Sequence, residues 1–294
     1  PPRSTLFPYT TLFRSSFAMS TDIHPLDRAV ALTPTGAVGH YQGQTTQDYW
    51  NMVGPYGGIT AAALVQAIQQ HPLCLGDPLS ITVNYAAALG AGRFDIEARP
   101  VRTNRSTQHW LLTITQPDQD GDAQVVTTAT AVTAVRRSTW GGTDLAMPQV
   151  PSPAAVPRVP PLGGVEWLNR YDMRFLDGII PQTWDGRETD SLTRLWVRDE
   201  PPRALDFCAL AGLADVFFPR VWLRRAQRTP AGTVSITVYF HAGREELAAA
   251  GTGHLLAQAR GQEFRNGFFD QSAQLWSEAG VMLASSHQIV YFKE

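Results

Sequence analysis

One acid in this chain stands where chemistry is conceivable. Ala204, Cys208, Ala211 and Asp215 follow i, i+4, i+7, i+11 spacing, so a helix from about Arg203 to Phe217 puts all four on one face. Three small residues predict a face pressed against a sheet. A carboxylate on that face is desolvated, which raises its proton affinity and prepares it to act as a general base. Pro219 ends the helix soon after, so a cap or turn acid explains Asp215 equally well and both readings stay open. Asp206 lies in the first turn, where the helix dipole alone accounts for an acid.

Two further stretches offer binding groups. Arg102, Asn104, Arg105 and Ser106 fall in one turn and supply donors suited to phosphate; a solvated hairpin turn accounts for them too. Gly57 and Gly58 open a helix whose first backbone N–H groups can receive a developing oxyanion. The seven histidines are dispersed, and His241 and His287, like Ser285 and Ser286, read as packed or hydrogen-bonded strand residues. No H-E-x-x-H, G-x-S-x-G or Walker-type loop occurs, so metalloprotease, nucleophile-elbow hydrolase and common nucleotide-loop chemistry have no foothold and no metal ligand set is expected.

The elements that must hold these groups repeat. Residues 58–70 run without Pro, charge or further Gly and predict a buried central helix, with Gly58, Ala61, Ala62 and Val65 lying close against a sheet. An extended lead-in at 36–48 precedes it, and β-branched, period-2 segments at 79–85, 93–102, 107–116 and 124–135 follow it. A stretch with six prolines between 148 and 161 marks a stiff linker. Beyond it the same order returns: extended segments at 171–176 and 192–198, the helix that carries Asp215, then strands at 233–241, 253–263, 267–277 and 281–292. Ser80-Ile81-Thr82-Val83 recurs as Ser235-Ile236-Thr237-Val238, an offset of 235 − 80 = 155, with an aromatic residue two positions on in each copy (Tyr85, Phe240). Two copies of one domain are expected. The division is a non-native or disordered leader at 1–18, an N-terminal domain at 19–145, a linker at 146–164 and a C-terminal domain at 165–294.

Composition excludes several function classes. A chain of 294 residues with net charge −2 and a pI near 6.4 has no basic excess for nucleic acid. Cys74 and Cys208 show no C-x-x-C spacing and predict reduced thiols in a cytoplasmic protein. No apolar run approaches the roughly 20 residues of a membrane span.

Four groups of residues together resemble the acyl-CoA thioesterase II type of double hot-dog protein. They are Trp50-x-x-x-Gly54-Pro55-x-Gly57-Gly58, Arg105-Ser106-x-x-His109-Trp110, Tyr239-Phe240-His241-Ala242 and Leu283-Ala284-Ser285-Ser286-x-Gln288. The resemblance spans about residues 30 to 292. It implies an α+β tandem hot-dog, two antiparallel sheets each wrapped around a central helix, pairing as a pseudo-dimer with a continuous sheet. The activity it implies is hydrolysis of acyl-CoA, with coenzyme A part of the substrate and no separate cofactor, in a protein that can form a homodimer of double hot-dogs. It also implies that Asp215, Thr233 and Gln288 hold the attacking water. The gap from Asp215 to Thr233 is shorter than in that family, which leaves Ser235, taken to share Thr233's strand face, as a substitute. A hydratase or dehydratase of acyl thioesters, which pairs a His with an Asp, and a non-catalytic acyl-binding module are the alternatives.

Overall fold

The computed structural model describes residues 23–118, 120–160 and 164–294. The leader assigned to residues 1–18 lies outside these, as do Pro161, Leu162 and Gly163 of the linker. The N-terminal half comprises α1 (Pro25–Ala29), β1 (Thr33–Pro34), β2 (His40–Gln44), α2 (Gly57–Gln69), β3 (Asp77–Tyr85), β4 (Arg93–Thr103), β5 (Thr107–Pro117) and β6 (Ala123–Ala134). The C-terminal half comprises β7 (Tyr171–Asp177), β8 (Thr193–Asp199), α3 (Phe207–Leu213), α4 (Arg220–Arg225), β9 (Ala231–Phe240), α5 (Arg244–Ala250), β10 (Leu255–Arg260), β11 (Phe264–Arg265), β12 (Phe268–Ser277) and β13 (Met282–Phe292).

One antiparallel sheet passes through both halves in the order β1-β2-β4-β5-β6-β3-β9-β13-β12-β10-β8-β7, with β11 paired to β12. Its centre is the β3–β9 pair, where the repeated Ser-Ile-Thr-Val segments lie against each other. Thr82 pairs with Thr237, its own counterpart at the offset of 155, and their hydroxyls meet at 2.9 Å. The pseudo-twofold axis therefore passes between these two threonines. Each half closes the sheet edge that the other would leave unpaired.

Ten of the thirteen residues of α2 are buried, as expected of a helix without charge. The Gly58 end of its small face meets α3, however. A Cβ on Gly58 would lie 2.7 Å from the Gly212 carbonyl of α3, while Cys208 of α3 reaches Gln66 and Gln69 at the far end of α2. The two helices thus pack antiparallel on each other, and the missing Cβ at Gly58 is what allows the approach.

The second helix is shorter than the sequence predicts. Asp206 accepts the Ala209 N–H at 2.8 Å and so fixes the start as an N-cap, leaving Ala204 outside. At the other end the chain tightens after Leu213, with Asp215 N–H bonded to Gly212 and Val216 N–H to Leu213. Asp215 therefore stands just past the helix and not on a face shared with Ala204, Cys208 and Ala211. Two helices, α4 and α5, occupy the stretch after the break at Pro219 and the connection between the strands expected at 233–241 and 253–263.

The pairing of β9 with β13 slips by one residue, because Ile289 faces Ser235 while the next residue, Val290, faces Thr233. Val234 is the extra residue of this β-bulge, and β3 carries the equivalent bulge at Leu79. The linker is not a free tether. Val156 is buried against Trp196, Leu256 and Trp276, and the Trp196 indole donates to the Pro151 carbonyl at 2.8 Å. Among the described residues no helix is long and apolar enough to cross a membrane.

Candidate active site

α2 begins without a side-chain cap, since its preceding residue, Tyr56, donates instead to the Gly212 carbonyl and meets the Tyr171 hydroxyl at 2.8 Å. The first N–H groups of the helix are therefore left for other partners. Asp215 fills that place. It leaves the C-terminus of α3, where a negative charge is unwelcome, and reaches the N-terminus of α2, where it is favoured. A Cβ on Gly57 would sit 2.8 Å from Asp215 Oδ2 and 3.0 Å from the Tyr85 hydroxyl, so only glycine admits the carboxylate there.

Gln288 Nε2 donates to Asp215 Oδ1 at 2.7 Å, and Gln288 Oε1 accepts from the Thr233 hydroxyl at 3.2 Å. The three groups form one chain, Thr233 to Gln288 to Asp215. The bulge at Val234 makes it possible. Directly paired residues share a face, so Thr233 lies with Val290, on the buried face that carries Gln288, while Ser235 lies with exposed Ile289. Ser235 and Thr233 do not share a face, contrary to a plain period-2 reading, and Ser235 is no substitute. The Ser286 hydroxyl donates to the Ala214 carbonyl at 3.0 Å and so fixes the residue before Asp215.

Asp215 is 8% exposed. Burial pushes its carboxyl up to about 7, while the Gln288 amide and the Gly58 N–H favour the charged form. Half-buried Tyr85, whose hydroxyl donates to the Gly57 carbonyl at 2.7 Å, and buried Tyr56 stand beside it, and desolvation together with the Asp215 charge holds both phenols well above their ordinary range. Sequence reasoning assigned neither tyrosine a role at the site. The aromatic residue after each copy of Ser-Ile-Thr-Val was the available signal for Tyr85.

Residues counted as substrate-binding are divided by the fold. Gly57 and Gly58 adjoin Asp215. Arg102, Asn104, Arg105 and Ser106 form the β4–β5 turn, where Arg102 Nε donates to Asn104 at 3.0 Å and Asn104 to Thr107 at 3.1 Å. Buried Gln108 ties the strand beyond this turn to Leu73 and Leu75, just past the C-terminal end of α2. The turn and the carboxylate thus stand at opposite ends of a helix about 20 Å long. The pseudo-equivalent positions of Thr233 and Gln288 are Pro78 and Ala131, neither of which carries a side-chain hydrogen-bonding group. That end lacks the hydrogen-bonded chain.

His241 bonds Ser285 at 2.9 Å and His287 bonds Asp270 at 3.0 Å, so both histidines are engaged by strand residues. Both cysteines are free thiols, Cys208 buried and Cys74 half-buried. Among the described residues no cluster of His, Cys, Asp and Glu has the arrangement to hold a metal ion.

Residues 146–292 match the acyl-CoA thioesterase C-terminal domain, and residues 46–134 match the acyl-CoA thioesterase N-terminal domain. The chain belongs to the acyl-CoA thioesterase family. A hot dog protein of unknown function from Alicyclobacillus acidocaldarius is similar at 45% identity and a TM-score of 0.85, with 92% of this chain and 99% of that one covered. A putative thioesterase II from Thermobifida fusca YX superposes at 0.76 with 21% identity, covering 93% and 99% of the two chains. An acyl-CoA thioesterase II from Mycobacterium marinum superposes at 0.71 with 16% identity, covering 91% and 98%; these last two likenesses concern the fold. A search of curated protein sequences found no match.

Proposed function

We propose that this thioesterase-family protein hydrolyses acyl-CoA thioesters to a free acid and coenzyme A with a water activated by Asp215. The observation that carries this reading is the Thr233–Gln288–Asp215 chain, set against an uncapped helix start. With Oδ1 held by Gln288, Oδ2 is the oxygen that takes a proton from water as the water oxygen bonds to the thioester carbon. The carbonyl electrons move to an oxyanion facing the Gly57 N–H, because Gly58 already serves the carboxylate. Collapse of this adduct breaks the carbon–sulfur bond, and the departing thiolate recovers the proton from Asp215. Thr233 and Gln288 are positioning residues in this scheme: they orient the base.

A covalent acyl-enzyme finds no support. Ser286 is bonded to a main-chain carbonyl, and Cys208, its thiol pushed up by burial, faces Gln66 and Gln69 at the other end of α2. Hydratase chemistry would need a His beside the acid, and neither group that favours the charged form of Asp215, Gln288 or the Gly58 N–H, comes from a histidine. A panel of acyl-CoAs in a thiol-reagent assay tests the reading. Release of thiol is expected; tight binding of acyl-CoA without release would identify a binding module instead.

A further inference from the structure

The loop that corresponds to the Arg102–Ser106 turn in the other half joins β10 to β12, and it lies at the Asp215 end of the molecule. Its tip, Arg265-Asn266-Gly267, is a two-residue hairpin with positive φ at Asn266 (54°) and Gly267 (78°), which projects Arg265 beside the C-terminal strand. Across from it runs α4, which begins five residues after Asp215. Between them is a cleft of about 520 Å³ lined by Arg224, Arg225, Arg265, Asn266, Phe264 and Phe292.

Three observations describe what this cleft suits. Two of its cations are held loosely, because Arg225 and Arg265 contact Glu294 (2.5 Å) and Glu263 (3.0 Å) in exposed pairs that a phosphate can displace at little cost, while Arg224 is tied to the Thr189 carbonyl at 2.6 Å. The field behind them is positive. Arg220 on the same helix is fully buried, and its hydrogen bonds go to the Phe218 and Ser191 carbonyls and the Thr193 hydroxyl, all neutral acceptors. The floor is aromatic, with Phe264 stacked on Phe269 at 5.3 Å and Phe269 beside Phe292 at 6.1 Å. Phosphate and a flat heterocycle are both accommodated.

The cleft also stands at a suitable distance. Phe292 is on the same strand face as Gln288 and four residues further on, which is roughly 13 Å at the rise of a strand. An extended pantetheine arm spans a comparable length.

Resting on the reading of Asp215 as the hydrolytic centre, we infer that the cleft between α4 and the β11–β12 hairpin binds the phosphorylated nucleotide end of coenzyme A. Arg225 and Arg265 clamp its phosphates and Phe264 and Phe292 take its adenine. Glu294 holds Arg225 until the ligand replaces it.

The test is the ratio of KM for acyl-CoA to KM for the same acyl group on pantetheine, which lacks the nucleotide. In an Arg225→Gln/Arg265→Gln double variant whose melting temperature matches the parent, this ratio rises about ten-fold or more, the order expected for lost charge-assisted hydrogen bonds. Arg105→Ala serves as the comparison and leaves the ratio within two-fold. An unchanged ratio in the double variant, or a ratio that responds to Arg105→Ala instead, overturns the assignment. Calorimetry with free coenzyme A and with 3′,5′-ADP needs no turnover and separates this inference from the hydrolytic one. Binding of both weakened ten-fold in the double variant upholds the cleft even if no thioester is cleaved. Equal binding by parent and variant removes it even if hydrolysis is confirmed.

Discussion

Asp215 and Gly57 come from opposite halves of the chain, yet a single added Cβ on Gly57 would stand 2.8 Å from the Asp215 carboxylate. Base and helix start are each supplied by one copy of the repeat, and only their pairing across the pseudo-twofold axis assembles them. Gly57→Ala should therefore disturb Asp215 without removing it. A loss of at least ten-fold in kcat is expected with little change in melting temperature. A fully active Gly57→Ala protein would show that the carboxylate does not work from this position.

The bulge at Val234 decides which hydroxyl reaches Gln288. Thr233→Val removes the donor at 3.2 Å and should lower kcat by about ten-fold, a positioning loss smaller than loss of the base itself. Ser235→Ala, on the opposite face, should stay within two-fold of the parent. Equal losses from the two substitutions would mean that the bulge does not separate them in solution.

The pH profile follows from burial. Only ionised Asp215 accepts a proton, so kcat/KM for acyl-CoA should rise with pH and level off above about 7. Stability runs the other way. The folded chain holds the Asp215 proton more tightly than the unfolded chain between its ordinary value of 3.8 and about 7, so this contribution to stability is complete below 3.8 and is lost as pH rises through 7. Buried Asp199, also raised to about 7 chiefly by desolvation, adds a loss of the same sign. Urea unfolding of Asp215→Asn and parent, compared at pH 5 and pH 8, should show the variant gaining on the parent at the higher pH. A variant that loses ground to the parent as pH rises would contradict the buried, raised acid.

The halves should not stand alone. Residues 19–145 and 165–294 expressed separately leave β3 or β9 as an open edge and uncover the facing surfaces of α2 and α3. Insoluble or partly unfolded products are expected, judged by circular dichroism and gel filtration. Two stable monomers would contradict the paired fold.

The parts legible in the sequence were those with a period or a repeat. The charge-free run of α2, the alternation of β3 to β6 and the recurrence of Ser-Ile-Thr-Val located the helix, the strands and the repeat. What escaped was set by contacts distant in sequence. Nothing local says that α3 stops at Leu213, because the stop serves a carboxylate that must reach Gly57 and Gly58. No alternation reveals the Val234 bulge, since it exists only in the pairing with β13. The segment Arg244–Ala250 is made of good helix formers, yet the strands expected at 233–241 and 253–263 make it only a connection between them. The Arg102–Ser106 turn showed the right donors for phosphate without showing the end of α2 at which they stand.

The central claim is that Asp215 is the base. Asp215→Asn keeps the side-chain shape and removes the charge, so the fold should persist, and Gln288→Ala removes the group that orients it. Turnover of acyl-CoA, measured as thiol release on folded protein, should fall by about 10² or more in each. An Asp215→Asn protein that releases thiol at the parental rate would contradict the account.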